Sequence, residues 1–464
     1  MRRRRAARGK AAALAILVAA CTRVGTGPPG APAASQQPAV TPAVPAPTPP
    51  PAPPPPAPAG APPAAAATAR VPGAAGTTRP AARFTEVRGL WVVRFSLATP
   101  ASTRAVVERA ARAGFNTLLV QVRGRGDAFY ASALEPRAAA LARAPADFDP
   151  LAQIVREAHV KGIAVHAWMN VDLVADYTTV PTDPRHLARA HPEALMVPRA
   201  LARELAGVRP GDPRYAQRLI EWSRANNRQV EGLYASPWSP AVRERTLAVA
   251  TDLAERYDLD GIHFDYIRYP GPNFDYSVGA VAAFREWAIP LVDVGRRRAL
   301  DRATGANPLA WPDSLPRQWS DFRRQQLTSL LERIHFAVKA RRPWMVVSAA
   351  VYPDTVDARG ARFQDWPGWA RSGLLDAVAP MAYTADDRRF RGQVEEVVAA
   401  APGTEVWAGI GSHLTGLQGT LRKIGIAREL GTHGIMLFSY DWTIDPKGGG
   451  GEAFLERVGR SWTR

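Results

Sequence analysis

The feature that leaves this chain least freedom is a rhythm of short apolar runs. Eight occur between residues 89 and 440, most of them followed by an amphipathic helical stretch. They are Gly89–Phe95, Thr117–Val122, Ile163–Met169, Gly261–Ile267, Trp344–Val351, Ala377–Tyr383, Val406–Ile410 and Gly434–Tyr440. Helical periodicity between them covers Thr103–Ala113, Pro150–Lys161, Ala241–Tyr257, Phe322–Ala340 and Leu421–Leu430. Nearly continuous apolar strands belong to a parallel sheet that helices cover on its outside. Eight such units predict an α/β fold closed into a TIM-type (β/α)8 barrel rather than an open doubly wound sheet. No glycine-rich dinucleotide loop follows the first run, which further disfavours a Rossmann arrangement. The connections 172–240 and 268–320 are too long to be structureless. They are expected to carry short helices and to wall the barrel mouth, where the loops after strand ends form the active face of barrel enzymes.

Ahead of this region the chain reads differently. Arg2, Arg3, Arg4, Arg5, Arg8 and Lys10 form a basic head, and Ala11 to Ala20 is an uninterrupted apolar run. That run is too short to span a bilayer, which takes about 20 residues, and suits a secretory signal. It ends Val18-Ala19-Ala20-Cys21, which resembles the bacterial lipobox. Residues 1–20 are therefore expected to be a lipoprotein signal peptide and Cys21 the lipidated, membrane-anchoring residue. Cys21 is the sole cysteine of the 464 residues, so a disulfide, a Cys-ligated zinc and a thiol nucleophile are excluded downstream. An ordinary signal peptide with an incidental cysteine is the plainer alternative. Thr22, in place of an aspartate after the cysteine, points to the outer membrane, facing the periplasm, if the cell has one. Residues 21–83 are Cys21 and a Pro/Ala-rich linker, densest over 41–60. Such a sequence buries no core and favours extended polyproline II, a spacer. All 13 tryptophans follow it, so the folded domain is expected to run over 84–464.

The net charge of +17 suits attraction to anionic polymers or head groups. Export and the lack of zinc-finger, RNP-type or helix-turn-helix patterns exclude nucleic acid as the partner. The arginines are dispersed between apolar stretches and read mainly as solvated surface.

Chemistry collects at the ends of the runs. They supply Arg94, Gln121, Arg123, Asp127, His166, Trp168, Asn170, His263, Asp265, Arg268, Tyr352, Asp354, Tyr383, His413, Asp441 and Trp442. Asp265 stands out, because a carboxylate inside an apolar strand is costly unless paired. Its structural alternative is an arginine partner that ties the barrel top. Aromatic faces beside carboxylates and Asn, Gln and Arg donors suit a sugar. Glycosidic hydrolysis usually needs two carboxyls, one protonated and one ionised. Asp265 is the expected nucleophile or base, and Asp354 or Asp441 the expected acid, with Asp127 a further possibility. Arg94, Gln121, Arg123, Asp127, His166, Trp168, Asn170, His263, Arg268, Tyr383 and Trp442 are the expected substrate contacts. His166, His263, Asp265 and His413 lack HExxH or a clustered HxH, so no metal and no cofactor are expected. The lack of a GxSxG elbow counts against a serine triad.

Several segments resemble the glycosyl-hydrolase-like family 10 domain. They are EVRGLWV (86–92), GFNTLLVQVRGRGDAFYAS (114–132), FDPLAQIVREAHVKGIAVHAWMNV (148–171), HPEALM (191–196), YDLDGIHFDYIRYP (257–270) and LLDAVAPMAYT (374–384). The resemblance implies a TIM-type barrel with a glycan-binding cleft and, by likeness to lipoproteins acting on peptidoglycan, a glycosidase of glycan strands. It places Asp265 at the family's acidic fourth-strand position, and Arg94, Arg123, Asp127, Asn170, His263 and Tyr383 in matching segments. Some relatives resemble GIHFDDY where this chain has Tyr266, which alternation would turn to the other face of the strand. Relatives resembling YLDPG have an aspartate that Leu233-Tyr234-Ala235-Ser236-Pro237 lacks. The expected partner is peptidoglycan or another envelope polysaccharide, bound by a monomer, with a non-catalytic glycan-binding lipoprotein as the alternative.

Overall fold

The computed structural model describes residues 84–446 and 450–462. The signal segment, Cys21 and the linker lie outside the described residues. Eight parallel strands close into a barrel. In chain order they are β1 (Val87–Val92), β2 (Thr117–Arg123), β3 (Ala164–Asn170), β6 (Gly261–Asp265), β7 (Val346–Val351), β8 (Ala377–Pro380), β9 (Glu405–Gly411) and β10 (Gly434–Phe438). Neighbours follow chain order around the ring, and β10 closes on β1. A two-stranded antiparallel ribbon, β4 (Leu173–Ala175) with β5 (Leu233–Tyr234), lies in the first long connection. All eight predicted runs coincide with barrel strands, and the fourth ends two residues early, at Asp265.

Almost every barrel-strand residue is buried, as continuous apolar runs require when side chains fill the interior and helices cover the outside. The helices start where the sequence supplies caps. Thr99 accepts from Ser102 N at 3.1 Å before the Pro100–Arg112 helix. Asp149 accepts from Ala152 N at 3.0 Å before the Pro150–Val160 helix. Each cap satisfies an amide that the first turn leaves unpaired.

The two long connections fold as expected into short helices. Residues 172–240 hold the β4–β5 ribbon and a helix at Pro213–Ala225, around a small core that includes Leu195, Leu219, Ile220 and Leu233. Residues 268–320 hold helices Val278–Ala288, Val294–Thr304 and Ala310–Ser314 around Phe284, Trp311, Trp319 and Phe322. Both leave from the C-terminal ends of strands, β3 and β6, and so belong to the mouth of the barrel.

Candidate active site

The register aligns Asn170 of β3 with Asp265 of β6, both at the mouth. Asp265 Oδ1 accepts from Tyr266 N at 2.7 Å and from Arg268 Nη1 at 2.9 Å. Both bonds fall on one oxygen, so Oδ2 has no hydrogen-bond partner among the described residues. Asp265 lines a small pocket with Trp91, Trp168, Tyr266, Arg268, Met381, Tyr383 and Phe438. Tyr383 and Phe438 stack with centroids 5.2 Å apart, and Trp91 meets both edge-on. This aromatic wall beside a half-engaged carboxylate gives the pocket apolar faces and one strong acceptor.

Tyr266 corrects the expectation from strand alternation. Its φ of 53° is left-handed, a conformation that costs a tyrosine about 1–3 kcal/mol. The reversal ends β6 at Asp265, so alternation no longer applies and Tyr266 lines the pocket beside it. Arg268 follows with its guanidinium 4.0 Å over the Tyr266 ring and 5.2 Å over Tyr352. Burial works against the Arg268 charge, but Tyr352, Asp265, Tyr266 and Tyr234 outweigh it and hold its pKa raised. Asp172, fully buried, accepts from Arg268 N at 3.1 Å, and burial pushes its carboxyl well above the usual range.

A second carboxyl stands across the mouth. Asp441 follows β10 and reaches back to β1, where Oδ2 accepts from Val93 N at 2.8 Å and Oδ1 from Ser96 Oγ. Burial pushes its pKa up to about 6, against the opposing pull of those bonds and of Arg94. Arg94 is 9% exposed and donates from Nη1 to Gln121 Oε1 at 2.9 Å. Gln121 Nε2 donates to Asn170 Oδ1 at 3.3 Å, and Asn170 Nδ2 to Gly124 O at 2.9 Å. Arg94, Gln121 and Asn170 thus form one chain across β1, β2 and β3.

Other expected contacts lie elsewhere, for identifiable reasons. His166 pairs with Gly261 in the register, four residues below the level of Asp265, about 13 Å down the barrel. It packs on Trp407 and lines a floor cavity with Val87, Thr117 and Glu405, and burial lowers its pKa to about 4. His263 accepts from Trp91 Nε1 at 3.2 Å on Nε2, leaving Nδ1–H to donate to Ser348 Oγ at 2.9 Å. Both its nitrogens are spent in the core, where burial lowers its pKa well below the usual value. Arg123 is wholly buried, donating from Nε to Glu135 at 2.8 Å and from Nη1 to Val171 O at 3.0 Å. Asp354 caps the Thr355–Gly360 helix through Asp357 N at 2.8 Å and does not line the pocket. Asp127 accepts from Arg125 N at 2.8 Å and stays at the rim, half-buried. Trp442 meets His413 and Phe454 edge-on, also outside the pocket.

Sequence reasoning passed over Trp91, Met381 and Phe438, which look like ordinary core residues. It also passed over Glu231, which is 6% exposed and accepts from Tyr234 Oη at 2.6 Å behind the pocket. Gly232 beside it signals close packing, since a Cβ there would fall 2.0 Å from Ala175 O.

The family model of Glycosyl hydrolase-like 10 matches residues 86–418. Glycosyl hydrolase YngK of Bacillus subtilis is 23% identical over 288 residues, 58% of this chain and 46% of that protein. Glycosyl hydrolase DigH of Escherichia coli is 24% identical over 336 residues, 64% of this chain and 65% of that protein. The matched stretch thus spans less than two thirds of either relative. Among solved structures, the glycoside hydrolase domain of PgaB (BpsB) from Bordetella bronchiseptica superposes with a TM-score of 0.54 at 17% identity. That match covers 80% of this chain and 99% of that one. The cold-adapted β-galactosidase of Rahnella sp. R3 gives 0.54 at 16% identity, covering 82% and 56%. These two likenesses concern the fold. The family model covers most of the folded region, and this chain belongs to the glycosyl hydrolase-like 10 family.

Proposed function

We propose that the barrel hydrolyses a cell-envelope glycan, specifically peptidoglycan glycan strands, by carboxylate chemistry. The observation that carries this reading is Asp265, which lines an aromatic pocket at the barrel mouth with one oxygen held and the other unengaged. Asp265 is the nucleophile or base. Asp441 is the acid, because a carboxyl with a pKa of about 6 still carries its proton where an ordinary aspartate has lost it. Trp168, Tyr383 and Arg268 contact the sugar in the pocket, and Gln121 and Asn170 hold Arg94 above it. A lipid on Cys21 and the linker tether the barrel to the membrane, the outer membrane facing the periplasm where one exists.

One observation favours glycan binding without hydrolysis: among the described residues Asp265 is the single carboxylate that lines the pocket. Incubating the full chain with purified sacculi and with peptide-free glycan strands, and separating products by chromatography with mass detection, distinguishes the two. Released oligosaccharides support the enzyme. Retained binding with no product from either preparation overturns it.

A further inference from the structure

Two arginines at the mouth have no carboxylate of their own. Arg94 follows β1 and makes one side-chain hydrogen bond, to Gln121. Arg125 follows β2, gives Nη1 to Gly124 O at 3.0 Å, and has a buried Nε with no partner among the described residues. Among the described residues neither guanidinium forms an ion pair, in contrast to Arg123 and Arg268 close by. Gly124 brings the two together. A Cβ at Gly124 would fall 2.4 Å from Arg94 Cδ and 2.7 Å from Nε, so glycine is what lets Arg94 lie against the strand end that carries Arg125. Burial, and then the like charge of Arg125, press the Arg94 pKa down to about 10. Nearby carboxylates relieve this only in part. Asp127 Oδ1 is taken by Arg125 N, and Asp176 is exposed, with Oδ1 taken by Thr178 N.

The turn under Arg125 is firmly built. Gly126 has φ +68°, which a side chain rarely adopts, and a Cβ there would meet His186 Nε2 at 3.0 Å. His186 donates from Nε2 to Arg125 O at 2.7 Å and accepts from Ala188 N on Nδ1 at 3.2 Å. Phe95 stands next to this pair, 43% exposed, with the Arg94 guanidinium 4.4 Å over its ring. An exposed aromatic face beside unpaired guanidinium donors matches a sugar ring that carries an anion.

We propose that Arg94 and Arg125 form a carboxylate subsite at the barrel mouth, with Phe95 as the platform for the acidic sugar that bears it. The proposal rests on the mouth being the glycan site. It commits the substrate to a glycan with a free carboxylate on, or ether-linked to, one of its sugars.

The test is calorimetric binding of the full chain to two probes: carboxylated oligosaccharides from peptide-free glycan strands, and the same oligosaccharides after reduction of the carboxyl to an alcohol. The carboxylated probe is expected to bind at least about tenfold tighter, the scale of hydrogen bonds to a charged group. Arg125→Ala should erase that preference and Arg125→Lys should keep part of it, with melting temperatures near wild type because Arg125 is half-buried and outside the core. Equal binding of the two probes, or an unchanged preference in Arg125→Ala, overturns the subsite. Hydrolysis of both probes without preference leaves the glycosidase reading standing and removes the subsite. Preference without hydrolysis does the reverse.

Discussion

The floor and the mouth of this barrel are furnished with similar side chains. At the floor, Asp376 Oδ2 takes Lys339 Nζ at 2.7 Å and Val347 N at 2.7 Å, Glu405 Oε2 takes Trp407 Nε1 at 2.9 Å, and His166 packs on Trp407 with its buried Nδ1 unpartnered among the described residues. At the mouth, Asp265 keeps an oxygen unengaged and two arginines lack ion pairs among the described residues. Size does not make the difference: the floor cavity is about 510 Å³, and a cavity of about 780 Å³ lies in the first insertion with no aromatic lining. Saturation does. Polar groups whose bonds are all met inside the protein stabilise it, and those left with spare capacity in a cleft are the ones that can act on a ligand.

The comparison can be broken most decisively at Asp265. Asp265→Asn is expected to lower turnover by at least about 10³-fold. It also leaves the buried Arg268 without its carboxylate, at about 3–5 kcal/mol of stability, so turnover must be read well below the melting temperature. Asp265→Glu keeps the charge. It should melt close to wild type yet turn over about 10²-fold more slowly, since small misplacements of a reacting group are that costly. Wild-type turnover in either variant would move Asp265 among the saturated groups.

Arg123 tests the opposite class. Arg123→Ala strands Glu135 in the core, and a loss of about 3–5 kcal/mol is expected in denaturant unfolding. Binding of glycan by the fraction that remains folded should be unchanged, and a selective loss of binding would return Arg123 to the site.

Asp441 is read by pH. Its folded pKa of about 6 lies above that of an ordinary aspartate, so the fold favours the protonated form. Its contribution to stability is complete below about pH 4 and is lost as pH rises through about 6. Activity should fall over the same alkaline limb, because the acid loses its proton there. In Asp441→Asn that limb should vanish along with most of the activity. A rate profile with the limb intact in the variant would assign it to another group.

The smallest effect is expected at Asp354. Asp354→Ala removes a helix cap and should cost about 1 kcal/mol by thermal unfolding, with turnover unchanged. A large loss of turnover at preserved stability would restore it as the acid.

The contrast also explains what a sequence conveys. Barrel strands and their covering helices follow from apolar periodicity, which is local, so eight runs sufficed for the fold. Asp265 was legible because a carboxylate in an apolar strand needs a special reason. Arg268, three residues on, was within reach of the same argument. Saturation was not legible, because the partners are distant along the chain. His263 is satisfied by Trp91, 172 residues earlier, and by Ser348, 85 residues later. Asp441 is held by Ser96, 345 residues away. Tyr266 turned toward the pocket because one left-handed residue ended the strand, which alternation cannot anticipate. The sequence by itself determined the barrel, its strand ends and the residue types that meet there. Only the tertiary structure decided which of those groups were already bonded, because burial and hydrogen bonding are properties of neighbours in space.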